Sequence, residues 1–129
     1  MKAVVALLLA DSTLTAMLSA TTAIYTRGGV PEGTAPPYII VEDPRETRAD
    51  TFGTTGKEVR LDINAWSIYK GTKEIGQIAN QIASTLDRTT LTITGHTTAG
   101  CTHEETDTFE ESDKLQRASL EFLIHTQEA

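Results

Sequence analysis

The stretch KEVRLDINAW, residues 57–66, alternates apolar and polar side chains with a period of two. The residues that share its apolar face are Val59, Leu61, Ile63 and Ala65. Such alternation predicts a strand with one face on the core and one face toward water. Trp66 falls on the polar face, where we expect it to cover the sheet rather than to lie at its centre.

Directly after this strand the apolar period changes from two to about 3.6 residues, which predicts an amphipathic helix over residues 72–88. Its apolar stripe consists of Ile75, Ile78, Ala79, Ile82, Ala83 and Leu86. Thr72 is suited to cap the helix N-terminus, and Arg88 is suited to the negative pole at its end. A strand followed by a helix of this kind predicts a sheet with helical cover.

Shorter strand signals lie on both sides of this unit. Ile24 and Tyr25 precede a glycine turn, and Pro37 introduces an apolar run that predicts a strand beginning near Tyr38. Residues 89–94 alternate and predict a further short strand. Residues 96–111 and 114–127 predict the two arms of a long hairpin, with the acidic stretch EESD as its turn. The apolar face of the second arm consists of Ala118, Leu120, Phe122 and Ile124.

The first ten residues, MKAVVALLLA, fit two interpretations. Lys2 and the apolar run after it resemble a short secretory signal, but Asp11 ends the run at the minimum length of such a segment. A helix over about residues 3–20 explains more of the pattern, since Leu7, Leu14 and Leu18 share one face. We therefore expect this segment to stay in the protein and pack on the sheet, with Asp11, Ser12 and Thr15 toward solvent.

Together these signals predict one α+β domain over residues 1–129. It consists of a mostly antiparallel sheet of about four to five strands, packed against two helices at about residues 3–20 and 72–88. A long polar loop and a C-terminal β-hairpin complete the prediction. A chain of 129 residues is long enough to bury one core.

Composition restricts the function classes. The chain carries 18 acidic and 11 basic residues, a net charge of −7, which argues against binding the phosphate backbone of nucleic acids. Its one cysteine, Cys101, allows no internal disulfide, so the fold does not depend on an oxidising compartment. No run approaches the roughly 20 apolar residues of a membrane-spanning helix.

Candidate chemical motifs are weak. Gly56 and Lys57 resemble the end of a phosphate-binding loop, but Glu58 stands where that motif needs serine or threonine, and a strand follows. The acidic stretch EETDTFEESD, residues 104–113, lacks calcium-loop spacing; it is typical of a solvated surface, with an acidic docking surface as the alternative. The three histidines come without a local nucleophile motif. We predict no catalytic residue and no cofactor.

For the stretch CTHEETD, residues 101–107, a metal site is a more specific alternative to a solvated surface strand. On a regular strand Cys101, His103, Glu105 and Asp107 would share a face, and these side chains can bind zinc. The paired ligand spacing of structural zinc sites is missing, so a solvated polar strand face is favoured. We predict no metal.

The order of these elements resembles a known family. VPEGTAPPYIIVE, KEVRLDINAWS, GTKEIGQIANQIASTLD and LQRASLEFLI follow one another as in the tail-completion or tail-terminator proteins of long-tailed bacteriophages, over about residues 7–126. The most specific parts are Pro36, Pro37 and Tyr38, and the block from Ile63 to Ser67 with Gly71 behind it. The threonine-rich and acidic final hairpin departs from the pattern.

This resemblance implies a structural virion protein of a siphophage, at the head–tail interface, assembled in the host cytoplasm and not secreted. Such proteins form a hexameric ring that caps the head-proximal end of the tail tube, ends its polymerisation and meets the connector of the head. The implied partners are the chain itself, the tail tube protein and a head-completion or connector protein. DNA passes without specific binding, and no membrane, catalysis or cofactor is implied. The alternatives are a head-completion or adaptor ring protein and a small enzyme.

The polar loop from Glu42 to Lys57 is the best candidate contact element, because long loops in compact domains commonly carry function. An acidic ring would also repel DNA instead of holding it. We predict subunit or tail-tube contacts for Arg45, Glu46, Arg48, Asp50, Phe52 and Thr54.

Overall fold

The computed structural model describes residues 2–18, 23–26, 29, 31, 33, 36–48, 56–68, 73–90, 96–112 and 115–128. Its helices are α1 (Lys2–Ala10), α2 (Ser12–Thr15) and α3 (Lys73–Leu86). Its strands are β1 (Ile24–Thr26), β2 (Tyr38–Val41), β3 (Arg45–Arg48), β4 (Gly56–Ser67), β5 (Thr89–Thr90), β6 (His96–Ser112) and β7 (Leu115–Glu128).

The strands form one sheet in the order β1-β2-β4-β7-β6-β5, and β3 pairs with β4 beside β2. All pairs are antiparallel except β1 with β2. The α+β class, the mostly antiparallel sheet and the C-terminal hairpin β6–β7 are confirmed. Among the described residues the sheet has seven strands rather than four to five, and β3, in a segment expected as a loop, is the one that no pattern predicted. Strand β5 lies at the start of the short strand predicted over residues 89–94, of which residues 91–94 lie outside the described residues.

Strands β4 and β7 form the centre of the sheet, paired from Gly56↔Gln127 to Ser67↔Gln116. The predicted alternation is confirmed, since the apolar residues of both strands are buried. These buried residues are Val59, Leu61, Ile63, Ala65, Ala118, Leu120, Phe122 and Ile124. Helix α3 packs across β4, β6 and β7 and contributes five further buried side chains, Ile75, Ile78, Ala79, Ile82 and Leu86.

Helix α3 begins one residue after the predicted N-cap Thr72, which lies outside the described residues. The chain then leaves the helix through Arg88, which has a left-handed backbone with φ of 59°. That conformation is uncommon for a residue with a Cβ atom, and here it turns the chain from α3 into β5. The helix therefore ends two residues before the predicted position.

The predicted single helix over residues 3–20 is two helices that meet at Asp11. Asp11 has an extended backbone, and its Oδ1 accepts hydrogen bonds from the amides of Thr13 (3.1 Å) and Leu14 (3.3 Å). It thus caps the N-terminus of α2, which a regular helix through this position would not permit. The buried residues of the segment are Val4, Leu8, Leu14, Thr15 and Leu18.

Asp11 was expected to face solvent, but it joins the two N-terminal helices to α3. Its Oδ2 accepts hydrogen bonds from Gln81 Nε2 (2.8 Å) and from the Thr85 hydroxyl. These two side-chain hydrogen bonds are the main reason that the pKa of Asp11 lies below its ordinary value of 3.8. Thr15, also expected toward solvent, is buried.

Replacing Asp11 by alanine is expected to lower the free energy of unfolding at neutral pH by about 1 to 2 kcal/mol, because the N-cap and the contact with α3 are both lost. Since folding lowers the pKa of Asp11, its ionised form contributes stability above pH 3.8, and that contribution falls as the pH drops through the lower folded pKa. The difference between wild type and Asp11→Ala should therefore shrink in acid. Urea unfolding at pH 7 and pH 3 measures it, with Ser12→Ala as the exposed neighbouring control; an equal difference at both pH values would contradict the assignment.

Candidate contact surface

The described helices pack on one face of the sheet, the face that carries Leu61, Ile63, Leu120 and Phe122. Because side chains alternate along a strand, the residues between them point to the other side, which we call the open face. On β4 the open face consists of Glu58, Arg60, Asp62, Asn64 and Trp66. Polar and aromatic residues dominate it.

Aromatic rings and one arginine cross the open face in a line, which we call the aromatic row: Tyr25, Tyr38, Trp66, Arg117 and Phe109. Tyr38 stacks on Trp66, with ring centroids 5.4 Å apart and planes at 20°, and meets Tyr25 edge-on at 6.4 Å. Trp66 lies opposite Arg117, whose guanidinium carbon lies 4.8 Å from the centroid of Phe109. The row crosses β1, β2, β4, β7 and β6.

This row confirms that Trp66 covers the sheet, because Trp66 is half-buried and stacked on a neighbouring strand. Offset stacking and cation–π contacts each contribute on the order of 1 kcal/mol. Phe109 remains 42% exposed, so the row ends in an apolar surface on β6. Only the position of Trp66 on the polar face could have indicated the row from the sequence.

A charged row lies beside the aromatic one, where Glu105, Glu121 and Asp62 are neighbours on successive strands. Two arginines partly neutralise it. Arg60 Nη1 lies 2.8 Å from Glu121 Oε1, and Arg45 Nη2 lies 3.2 Å from Asp62 Oδ2. All these side chains are substantially exposed, so each ion pair contributes about 1 kcal/mol or less to stability.

A polar cleft opens between β2, β3, β4 and β7. Its lining residues are Glu42, Asp43, Pro44, Arg45, Asp62, Asn64, Arg117 and Ser119. Asn64 is buried at its floor and donates from Nδ2 to Glu42 Oε1 at 3.1 Å, while no described group donates to its Oδ1. Two carboxylates of the cleft are thus already engaged, Glu42 with the Asn64 amide and Asp62 with Arg45.

The polar segment 42–57, expected as one long loop, contains a strand. Residues Arg45–Arg48 pair with β4, in register from Arg45↔Arg60 to Arg48↔Lys57. The sequence RETR carries no apolar alternation, and all four residues are exposed, so its extended form comes from backbone pairing with β4.

Of the predicted contact residues, Arg45, Glu46 and Arg48 lie on this exposed strand. Asp50, Phe52 and Thr54 lie outside the described residues. The three described residues are therefore accessible to a neighbouring molecule, and their contacts stay a prediction.

The expected common face of Cys101, His103, Glu105 and Asp107 is wrong. The register between β6 and β7 shifts between His103 and Glu105, so Glu104 is an extra residue in a β-bulge. Cys101 and His103 lie opposite the buried Ile124 and Phe122, whereas Glu105 and Asp107 lie opposite Glu121 and Ser119 on the open face. The bulge separates the four side chains between the two faces of the sheet.

His103 is held by its surroundings on the helix-covered face. Its ring lies 5.3 Å from that of Phe122, and its Nε2 lies 2.6 Å from the Thr106 hydroxyl oxygen. Its backbone amide donates to Asp87 Oδ1 at 2.9 Å, which fixes the edge of β6 to the end of α3. Within the described ranges no group of three or more histidine, cysteine or acidic side chains could hold a metal ion.

Cys101 is buried, and burial together with the nearby charge of Asp87 raises the pKa of its thiol to about 11. Desolvation is the larger cause, because it penalises the thiolate. A thiol with this pKa is almost entirely protonated at neutral pH and is a poor nucleophile.

We therefore expect native Cys101 to react with a thiol-specific disulfide reagent at pH 8 at least about a hundredfold more slowly than the unfolded chain, because only the thiolate attacks and burial blocks access. The absorbance of the released thiol measures the rate, with the chain in concentrated urea as the control. Native and unfolded chains reacting at similar rates would contradict the buried placement.

None of the helices in the described part of the chain is long and apolar enough to span a membrane.

Comparison with known proteins places nearly the whole chain in one family. Residues 2–127 match the model of a family described as "Tail completion protein gp17". Among solved structures, a chain of the "Virion of native gene transfer agent (GTA) particle" superposes with a TM-score of 0.85 and 20% sequence identity, over 98% of this chain and 92% of that chain. At that identity the likeness shows a common fold. No curated protein sequence matches.

Proposed function

Because this chain belongs to the tail completion protein gp17 family, we propose that it forms a hexameric ring on the head-proximal end of a phage tail tube. The ring ends tube polymerisation and forms the tail side of the head–tail joint. The chain is a bacteriophage tail-completion protein. In this proposal it assembles in the host cytoplasm and is a structural protein of the finished virion. Its proposed partners are further copies of itself, the tail tube protein and a head-completion or connector protein.

The match to this family over residues 2–127 carries the proposal, since it covers every described strand except the last residue of β7. The sheet also favours a tail terminator over a head-completion or adaptor protein, which is more often helical. Seven strands in the described part of the chain join one sheet.

The charge of the chain suits a ring through which DNA moves. The net charge is −7, and β6 exposes a series of carboxylates at Glu104, Glu105, Asp107 and Glu110. Like charges repel phosphate over about a Debye length of 8 to 10 Å, so such a surface does not hold the DNA. The proposal accordingly includes DNA passage without specific binding.

We expect the purified chain to shorten the tubes formed by its cognate tail tube protein and to cap one end of each tube. Electron micrographs of tubes polymerised with and without the chain give the length distribution and the fraction of capped ends. Tubes of unchanged length with bare ends would overturn the proposal.

The predicted contact segment gives a variant for the same assay. The substitution of Arg45, Arg48 and Phe52 by alanine should abolish capping, whereas Lys73→Ala/Gln77→Ala/Asn80→Ala, on the exposed side of α3, should leave it unchanged. Normal capping by the first variant would remove this segment from the interface.

A further inference from the structure

Two edges of the sheet carry opposite charge. Among the described residues, β6 pairs with β5 only at Gly100 and Cys101, and no described strand pairs with its outer edge beyond them. That edge bears Glu104, Glu105, Asp107 and Glu110, all exposed, and no lysine or arginine from Thr102 to Ser112. On the other side of the sheet, strand β3 bears Arg45 and Arg48 with Glu46 between them, so its net charge is positive.

We propose that the β6 edge of one copy pairs with the β3 edge of the next copy, so that the sheets of neighbouring subunits join around the ring. This inference rests on the proposed function, because it assumes that the chain assembles with itself in a closed ring. Two different edges that meet head to tail form a heterologous contact, the type that closes into rings. Strand edges supply the backbone donors and acceptors for such pairing, and β4 is the one described strand that pairs with β3.

Strand direction is compatible with this contact. Strand β3 runs antiparallel to β4, β4 antiparallel to β7, and β7 antiparallel to β6. Strands β3 and β6 therefore run in opposite directions, and the next copy's β3 would continue the antiparallel order beside β6. The joined sheet would need no change of strand direction at the subunit boundary.

The positions of the two edges fit a closed ring of tilted strands. Strand β3 lies at the end of β4 that holds Lys57–Arg60, whereas the outer edge of β6 from Glu104 onward lies level with the opposite end, near Trp66. Pairing these diagonally placed edges staggers each copy relative to the last. Closed sheets require such a stagger, because their strands tilt relative to the axis.

Side-chain direction selects the register. Arg45 lies opposite Arg60, on the open face. If the open faces of the two copies are continuous, Arg45 pairs with a β6 residue that is also on the open face. These residues are Glu105, Asp107 and Phe109. In an antiparallel pair, placing Arg45 opposite Asp107 brings Arg48 opposite Glu104. With Arg45 opposite Glu105, Arg48 would lie opposite Thr102, and with Arg45 opposite Phe109 it would lie opposite Thr106. The register with Asp107 pairs both arginines with carboxylates, as cross-strand stabilisation favours.

Arg45 can take part in this contact while it holds Asp62. Its side chain is 61% exposed, and its ion pair with Asp62 spans 3.2 Å at the surface. A guanidinium has five donors, so one group can bind two carboxylates. The contact thus uses a cation that the fold already positions at the β3 edge.

Charge exchange tests the pairing. Arg45→Glu/Arg48→Glu makes the paired positions of both edges acidic, and Glu104→Lys/Asp107→Lys makes the paired positions of both edges basic. Each variant alone should lose the hexamer in native mass spectra, with its assembled fraction falling roughly tenfold or more because like charges oppose each other across the contact. Mixed in equal amounts, the two variants should recover a hexamer in which they alternate, since every boundary then joins opposite charges.

The mixture also controls for folding, because two misfolded variants would not restore a ring. Lys73→Glu/Gln77→Glu/Asn80→Glu lowers the net charge as much as the first variant but lies on α3, and it should assemble as wild type. The spectra are recorded with and without polymerising tail tube protein.

Hexamers from either variant alone, or no ring from the mixture while wild type forms one, would overturn the pairing. A wild-type chain that forms no ring under either condition overturns both the pairing and the proposed function. A wild-type ring that leaves tube length unchanged contradicts only the role in tail termination, and the mixture still decides the pairing.

Discussion

Replacing Phe122 by alanine is expected to lower the free energy of unfolding by about 3 to 5 kcal/mol, the range for truncating a buried aromatic side chain. Phe122 is fully buried on the central strand β7, where α3 packs, and its ring meets that of His103 at 5.3 Å. Its removal leaves a cavity that the surrounding β-sheet cannot close, because β7 is fixed by hydrogen bonds to β4 on one side and to β6 on the other. A loss of this size is a large part of the stability of a single domain.

Phe109→Ala is the matched control, since Phe109 lies on the neighbouring strand and is 42% exposed. Its truncation removes one cation–π contact with Arg117 and should cost about 1 kcal/mol. Urea unfolding followed by circular dichroism gives both values. Equal losses for Phe122→Ala and Phe109→Ala would show that the two faces of the sheet are not buried as described.

The parts of the fold that the sequence predicts are those in which burial on one face imposes a period. Strand β4 buries Leu61 and Ile63 and exposes Arg60, so apolar and polar side chains alternate between its two faces. Helix α3 buries Ile75, Ile78 and Ile82 at helical spacing. In both elements the spacing of the apolar residues follows from which face is buried, so the sequence alone predicts the element.

The parts that the sequence does not predict depend on contacts between distant residues. Strand β3 is extended because β4 offers it hydrogen bonds, and no residue of RETR records that pairing. The bulge at Glu104 reverses the faces of β6 although the residues themselves continue in a regular polar series. Asp11 could be read as a helix interruption, but its partners Gln81 and Thr85 lie far along the chain.

The candidate contact surface was predictable to a similar extent. A polar segment between two strands indicated an exposed element, and Arg45 and Arg48 are indeed exposed. The aromatic row was not predictable as a unit, because Tyr38, Trp66 and Phe109 become neighbours only through the order of β2, β4, β7 and β6. Local composition therefore identified accessible residues, whereas their arrangement required the sheet topology.

The N-terminal segment provides the second large expected effect. Replacing Leu8 by alanine should lower the free energy of unfolding by about 2 to 5 kcal/mol. Leu8 is fully buried on α1, which packs against α2, α3 and β1. Truncation opens a cavity where these elements meet, and in a domain of this size it should lower the melting temperature by roughly 10 °C.

Leu9→Ala is the control, because it removes the same atoms from the adjacent residue, which is 40% exposed. Its effect should stay below about 1 kcal/mol, since little apolar surface returns to water. A signal peptide that is cut away, the interpretation that the apolar run MKAVVALLLA first allows, would make the folded protein indifferent to both substitutions. Thermal unfolding of the two variants separates these interpretations: a large loss at Leu8 with a small one at Leu9 requires α1 to be a packed helix, and equal, negligible losses would contradict it.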